Sequence, residues 1–272
     1  MTRQGAIPGR LWMIGCGNMG GAMLRQWIAS GVVAADDIDV INRADRALPA
    51  GVRQARTPPV GPLPDAIMLA MKPQQIDDVA DQISAQIAGG PLIVSILAGV
   101  EEAAIARRFS AGAIVRAMPN LPVGIGKGVV ALHSASASAG AAARDGVAAL
   151  MAPLGLVEWV DAKRFDLVTA LAGSGPAFLY RFIDSLAAAG ATLGLPADQA
   201  ARLAMATVEG AAMLAAAASE SPGMLADRVA SPGGSTRKGL DVLDANAALV
   251  TLLRETLAAS ERRNAEMAAA AR

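Results

Sequence analysis

An α/β protein is expected from this sequence, with a doubly wound parallel sheet in the first half and an all-helical second half. Three observations predict it. Short apolar runs recur at regular spacing through the first half, more polar helical stretches separate them, and the alternation stops at Phe165, after which only helical periodicity remains.

The runs Leu11–Gly15, Ile38–Asn42, Ala66–Met71, Leu92–Leu97, Ala113–Met118 and Val129–His133 read as strands, with a last one at Val157–Val160. An uninterrupted run such as Ile67–Met71 is what a strand covered on both faces requires, because neither side meets water. Between Asn42 and Ala66 stand Pro49, Gly51, Pro58, Pro59, Gly61, Pro62 and Pro64, so that crossover is expected to be short or irregular. The low-complexity stretch Ser134–Ala143 leads into an alanine-rich helix ending near Leu154-Gly155.

In the second half Pro176 opens a helix to about Gly194, Pro196 opens another to about Ala218, and a third runs from about Asn246 towards the C-terminus. Arg181 and Asp184 interrupt the first, which predicts a buried or interfacial helix in place of a membrane span. The chain therefore divides into a dinucleotide-binding domain at 1–162 and a helical domain at 163–272.

Composition narrows the chemistry. With 272 residues and 53% hydrophobic content the chain can bury a substantial core. Lys plus Arg equals Asp plus Glu at 24 each, so no global field draws nucleic acid or an anionic membrane. The single cysteine, Cys16, excludes an internal disulfide framework and a cysteine metal cluster, and the single histidine, His133, removes the usual material for zinc or a triad. No metal is expected, and the chemistry must be borrowed from a cofactor. Met1–Arg10 lacks the apolar core of a signal peptide, and no uncharged apolar run reaches the ~20 residues of a bilayer span, so a cytoplasmic protein is expected. Aromatics are only 3% while alanine and glycine abound, which suits closely approaching helices.

Gly15-Cys16-Gly17-Asn18-Met19-Gly20 follows a strand and opens a helix, the context in which a GxGxxG turn holds a dinucleotide. Gly15 permits the turn, Gly17 lets the backbone approach a pyrophosphate, and Gly20 or Gly21 lets the helix pack closely. Such a Rossmann-type site would take Ile14, Gly15, Cys16, Gly17, Asn18 and Met19, with Cys16 as a filler of the turn. The second strand ends in Asn42-Arg43, where a site selective for NADH would place a carboxylate. Asn42 can donate a hydrogen bond and Arg43 a charged fork to a 2′-phosphate, so NADPH is expected over NADH, which would bind more weakly. Ala70, Met71, Lys72 and Pro73 end the third strand at the same edge, with Lys72 available to ribose or phosphates.

Far along the chain, Ser231-Pro232-Gly233-Gly234-Ser235-Thr236 leads into the helical stretch Arg237–Leu243. Successive N–H groups of Gly233, Gly234, Ser235 and Thr236 can form an anion nest suited to a carboxylate, with the Thr236 hydroxyl as a further donor. Read from composition alone, the same string is equally a helix N-cap behind a glycine linker.

With these motifs in place the chain resembles the pyrroline-5-carboxylate reductase family over nearly its full length. The resemblance rests on Gly15-Cys16-Gly17-Asn18-Met19, Met71-Lys72-Pro73-Gln74, Arg116-Ala117-Met118-Pro119-Asn120, Leu171-Ala172-Gly173-Ser174-Gly175-Pro176-Ala177 and Ser231–Thr236. It implies an NADPH-binding first domain, a helical domain forming an interlocked homodimer or a higher oligomer, and reduction of 1-pyrroline-5-carboxylate to proline. A cyclic imine needs a hydride on carbon, a proton on nitrogen and a grip on its carboxylate, so positioning suffices and no metal is called for. Thr236 is the candidate catalytic residue, orienting or donating to the imine nitrogen, above the Gly233–Thr236 nest. Asn120 is a candidate contact to nicotinamide or substrate, and also reads as a turn residue. Ser174 lacks a GxSxG frame and reads as a tight lead into the dimer-forming helix, and His133 as a strand-end residue.

The segment Leu48–Pro64 departs from the family pattern, being shortened and proline-rich. Three other functions compete: reduction of a different imine such as a six-membered one, oxidation of a 3-hydroxy acid, and non-catalytic NADPH binding. Hydroxy-acid chemistry would want a lysine base inside a long interdomain helix, and the second half offers only Lys163 and Lys238.

Overall fold

The structure is a computed structural model that describes residues 9–135 and 139–270. Expectations for the first eight residues, and for 136–138 within the Ser134–Ala143 stretch, fall outside them. The chain gathers into two compact units: Met1–Ser174 together with Ser260–Arg272, and Gly175–Ala259.

The first unit is an eight-stranded sheet in the order β3-β2-β1-β4-β5-β6-β7-β8. Its strands are β1 (Leu11–Ile14), β2 (Ile38–Ile41), β3 (Arg53–Ala55), β4 (Ala66–Leu69), β5 (Leu92–Ser95), β6 (Ala113–Pro119), β7 (Gly128–His133) and β8 (Gly155–Trp159). Side chains alternate between two cores. Leu11, Met13, Ala66 and Met68 face one layer with Met23, Leu24 and Trp27 of α1 (Asn18–Ser30). Trp12, Ile14, Ile67 and Leu69 face the other with Ile76, Val79, Ala80 and Ile83 of α2 (Ile76–Ile83). Both faces are thus dry, which is why these strands read as unbroken apolar runs.

Two features were not read from the sequence. The proline-rich stretch contains β3, paired in parallel with β2 through Asp39↔Arg53 to Ile41↔Ala55. Its three residues are too few to show a period. β6 and β7 pair antiparallel, Arg116 opposite His133, so the sheet is not parallel throughout. Their connection holds only the 3-10 helix Leu121–Ile125, which is too short for a parallel crossover.

After α3 (Glu102–Ala106) and α4 (Ala141–Met151), α5 (Ala162–Val168) packs back on the sheet. Its buried Phe165 lies under the Arg116 guanidinium, 4.2 Å from the ring centre, and edge-on to His133. A π-turn at Thr169–Gly173 follows, closed by the Ser174 N–H on the Thr169 carbonyl at 3.0 Å. Asn264 ties the end of the chain to this unit by donating to the Asp166 carbonyl at 3.2 Å.

The second unit is helical: α6 (Gly175–Thr192), α7 (Ala197–Ala217), α8 (Pro222–Val229), α9 (Ser235–Asp244) and the first part of α10 (Ala248–Ala270). Among its described residues only Ala200, Ala204 and Ala230 are buried, while Leu179, Phe182, Met205, Met213, Val250 and Leu252 stand exposed. So many open apolar side chains leave a large apolar surface on the paired helices of this unit. By length and composition α7 could cross a bilayer, with mean hydropathy 1.3, although Asp198, Arg202 and Glu209 lie along it. Arg181 and Asp184 pair at 3.1 Å on the surface of α6.

Candidate active site

In the first unit the strand order reverses at β1, which pairs with β2 on one side and β4 on the other. The register sets Ile14 level with Ile41 and Leu69, so the residues that follow, Gly15, Asn42 and Ala70, share one edge. Two hydrogen bonds lock it: the Gly15 N–H to the Ile41 carbonyl and the Ala70 N–H to the Ile14 carbonyl, both 2.8 Å. The carboxyl end of such a switch point is where doubly wound sheets bind ligands.

A cavity of about 440 Å³ opens there. Ile14, Gly15, Cys16, Gly17, Asn18, Met19, Asn42, Arg43, Ala70, Met71 and Lys72 all line it. Pro73 does not; it opens the 3-10 turn Pro73–Gln75 behind extended Lys72. The walls also include Arg46, Arg56, Gln75 and Gln82, which the sequence reading passed over. The two arginines lie in the segment whose path depends on β3, and of the two glutamines Gln75 precedes α2 and Gln82 lies in its last turn, neither within a motif.

The geometry suits a dinucleotide. Gly15 has φ +84°, and a Cβ there would stand 2.7 Å from the Met71 main chain. Gly17 is extended and has no heavy atom within 4 Å of where its Cβ would be, so its backbone face is open to a ligand. It caps α1 without any side-chain hydrogen bond, and the first turn holds no acidic residue. The uncapped N–H groups and the helix dipole therefore favour an anion. At Gly20 a Cβ would come within 3.3 Å of the Ala70 Cβ, which is the close packing of helix on strand. Cys16 is buried, and that desolvation raises its thiol pKa despite the Arg25 and Arg46 charges, so it remains a thiol.

Asn42 is buried, and its amide is engaged within the protein. Its Oδ1 accepts the Cys16 N–H at 2.8 Å, and its Nδ2 donates to Gln54 Oε1 at 3.2 Å. The Oδ1 and one of the two Nδ2 hydrogens thus hold the glycine turn to β3, while Asn42 still lines the cavity. Arg43 is exposed and pairs with Asp78 of α2.

Asn120 is likewise buried and engaged. Its Oδ1 accepts from the Val129 N–H at 2.8 Å and its Nδ2 donates to the Ala172 carbonyl at 3.0 Å. Both ends of the amide meet main chain, and these two hydrogen bonds pin the π-turn to the sheet. Ser174 Oγ lies 3.3 Å from Ser260 Oγ, and His133 Nδ1 lies 2.9 Å from the Val160 carbonyl oxygen; neither has a partner that would make it a nucleophile or base.

In the second unit Gly233 has φ +73° and turns the chain into α9, with Gly234 as its cap. The Gly234 N–H is taken by the Ser231 carbonyl at 2.9 Å. The donors left at this end belong to Ser235, Thr236 and Arg237 in the first turn. Ser235 and Thr236 are exposed, and Arg237 is held by Asp227 at 2.7 Å. Lys163 lies in the short α5 and Lys238 in α9, where it pairs with Asp241 at 3.4 Å.

Residues 162–267 match the family described as pyrroline-5-carboxylate reductase dimerisation, and residues 10–99 the family described as NADP oxidoreductase, coenzyme F420-dependent. The pyrroline-5-carboxylate reductase of Arabidopsis thaliana is 32% identical, covering 93% of this chain and 94% of its own. The chain belongs to the pyrroline-5-carboxylate reductase family. The pyrroline-5-carboxylate reductase of Synechocystis sp. is 36% identical over 86% of this chain and 90% of its own. Among solved structures, the pyrroline-5-carboxylate reductase of Coxiella burnetii is 30% identical with a TM-score of 0.87, covering 95% of this chain and 98% of that one. The Plasmodium falciparum pyrroline carboxylate reductase, solved with NADP bound, shares the fold at a TM-score of 0.81 and 23% identity, covering 97% of this chain and all of that one. As a pyrroline-5-carboxylate reductase family member this chain is an oxidoreductase.

Proposed function

We propose that this chain reduces 1-pyrroline-5-carboxylate to L-proline with NADPH, the last step of proline biosynthesis, as a cytoplasmic homodimer or higher oligomer. The observation that carries the cofactor half is the cavity at the β1 switch point, with open Gly17 and uncapped α1 on one wall and arginines on the other. The proposed working division is a cofactor domain at 1–162 and a helical dimerisation and substrate domain at 163–272, whose exposed apolar helices a second copy would cover.

Ile14 to Met19 would hold the pyrophosphate and its riboses against α1, and Ala70 to Lys72, backed by Pro73, the nicotinamide side. When bound, NADPH supplies the hydride. The remaining work falls to the chain. Ser235, Thr236 and Arg237 present main-chain N–H groups to the substrate carboxylate, with Gly233 and Gly234 shaping the bend. The Thr236 hydroxyl, exposed on the first turn of α9, orients the imine nitrogen and donates to it as the carbon is reduced. Asn120 holds the turn at Ala172 in the first unit.

NADPH consumption followed by absorbance, with pyrroline-5-carboxylate and its six-membered homologue side by side, tests the reading. Turnover with the five-membered imine is expected, and turnover with neither overturns it. Thr236→Ala should lower kcat/KM for the imine about 100-fold, a loss typical of one general-acid group, with NADPH affinity unchanged.

A further inference from the structure

Three arginines line the dinucleotide cavity, and the ion pairs sort them. Arg43 is paired with Asp78, and Arg56 lies 3.6 Å from Asp45. Arg46 has no carboxylate within ion-pair distance among the described residues, yet its main chain is fixed. Its N–H donates to Gln54 Oε1 at 3.1 Å, and its carbonyl accepts from Gln54 Nε2 at 3.4 Å. The same Gln54 Oε1 accepts from Asn42, whose Oδ1 holds the Cys16 N–H. A chain of hydrogen bonds thus runs from the glycine turn through Asn42 and Gln54 to the backbone of Arg46.

A second cavity, about 370 Å³, lies beside the first and shares Cys16, Gly17, Asn18 and Arg46 with it. Its wall adds Arg25, whose guanidinium lies over Gly21, 3.3 Å from where a Cβ would be. Asp45 also lines it, but that carboxylate faces Arg56. Both the Arg25 and Arg46 charges reach Cys16, between them.

We propose that Arg46, with Arg25 across the second cavity, reads the 2′-phosphate of NADPH, and that Gln54 is a positioning residue that holds Arg46 there. The inference rests on the dinucleotide reading above and reassigns a task expected of Asn42 and Arg43. A phosphate monoester dianion needs charge-assisted donors with no competing carboxylate, and Arg46 meets that condition where Arg43 does not. The main-chain clamp lowers the entropy lost when the side chain closes on the phosphate.

Calorimetric titration of the full chain with 2′,5′-ADP and with 5′-AMP tests this without turnover. Arg46→Gln should weaken 2′,5′-ADP about tenfold or more, as loss of charge-assisted hydrogen bonds does, and leave 5′-AMP within about twofold. Arg43→Gln, whose guanidinium is already paired with Asp78, should weaken 2′,5′-ADP clearly less than Arg46→Gln does. Gln54→Leu should weaken 2′,5′-ADP in the wild-type background and add almost nothing to Arg46→Gln, a non-additivity that general destabilisation would not produce. A loss carried by Arg43→Gln in place of Arg46→Gln, or equal wild-type affinity for the two nucleotides, overturns the proposal whatever imine is reduced. Arg46-dependent binding of 2′,5′-ADP without imine turnover supports it while overturning the reductase reading.

Discussion

Gly15 and Gly17 sit two residues apart and should fail in opposite ways when each becomes alanine. At Gly15 the backbone is left-handed, φ +84°, which costs an L side chain roughly 1–2 kcal/mol. Its Cβ would also stand 2.7 Å from Met71 N and Cα and 2.9 Å from the Ala70 carbonyl carbon, main-chain atoms at the end of β4 that cannot swing aside. Such overpacking costs about 1–3 kcal/mol, and the reduced freedom of the unfolded chain returns only about 0.4–1. Gly15→Ala should therefore destabilise the sheet unit by about 2–4 kcal/mol. Urea unfolding followed by tryptophan fluorescence reads that unit specifically, because Trp12, Trp27 and Trp159 all lie in it and the first two are fully buried. Gly17→Ala meets nothing within 4 Å and has an ordinary φ of −77°, so its midpoint should stay at or slightly above wild type. Its methyl would nonetheless project where the pyrophosphate approaches and weaken NADPH about tenfold or more, since a near-contact there loses charge-assisted hydrogen bonds. An unchanged midpoint for Gly15→Ala, or unchanged NADPH affinity for Gly17→Ala, would refute the division of labour.

Two further predictions concern buried polar anchors. Asp39 is buried between Arg10 at 2.8 Å and Arg53 at 2.6 Å; burial alone would raise its pKa, but the hydrogen bonds and charges of the two arginines outweigh it and hold the carboxyl below its ordinary value. Its stabilisation is therefore present above about pH 4 and lost as pH falls through the depressed folded-state pKa, so Asp39→Asn should cost about 2–3 kcal/mol at neutral pH and give a flatter acid limb. Urea midpoints from neutral pH down to pH 3 would check this, and parallel curves for the two proteins would contradict it. Asn120→Ala strands the Val129 N–H and the Ala172 carbonyl together, at about 2–4 kcal/mol, and the same tryptophan signal should record the loss.

Most of the seven strands read from sequence announced themselves because they are buried on both faces, β8 being the half-exposed exception that still reads as an apolar run; β3 did not, being three half-exposed residues among prolines and glycines. That one omission explains most of what was hidden in the site. Asn42 and Arg43 follow β2 directly, so they could be named from the motif, but what each touches depends on β3. Gln54 reaches Asn42 and Arg46 only because Ile41↔Ala55 registers the two strands. Asn120 was found as a motif residue, yet its partners Val129 and Ala172 are remote enough in sequence that no local pattern could expose them. The antiparallel turn of β7 was hidden for a different reason, since an apolar run reads the same in either direction.

The two glycine motifs share one physical device. In each, a left-handed glycine, Gly15 or Gly233, turns the chain, and an extended glycine, Gly17 or Gly234, then caps the helix. Neither α1 nor α9 has a side-chain cap or an acidic residue in its first turn. α8 shows the alternative within the same chain: Ser221 caps it by accepting the Met224 N–H at 3.3 Å. A serine cap stabilises a helix by about 1 kcal/mol relative to an uncapped end, but it occupies a first-turn N–H that an anion would otherwise use. Glycine forgoes that hydrogen bond and keeps the donors open. Open starts are not confined to these two helices, since α4 and α5 also lack a side-chain cap and a first-turn acidic residue. What sets α1 and α9 apart is the left-handed glycine that leads into each, at the two places where the proposed reaction has anions to hold, a pyrophosphate at α1 and a substrate carboxylate at α9.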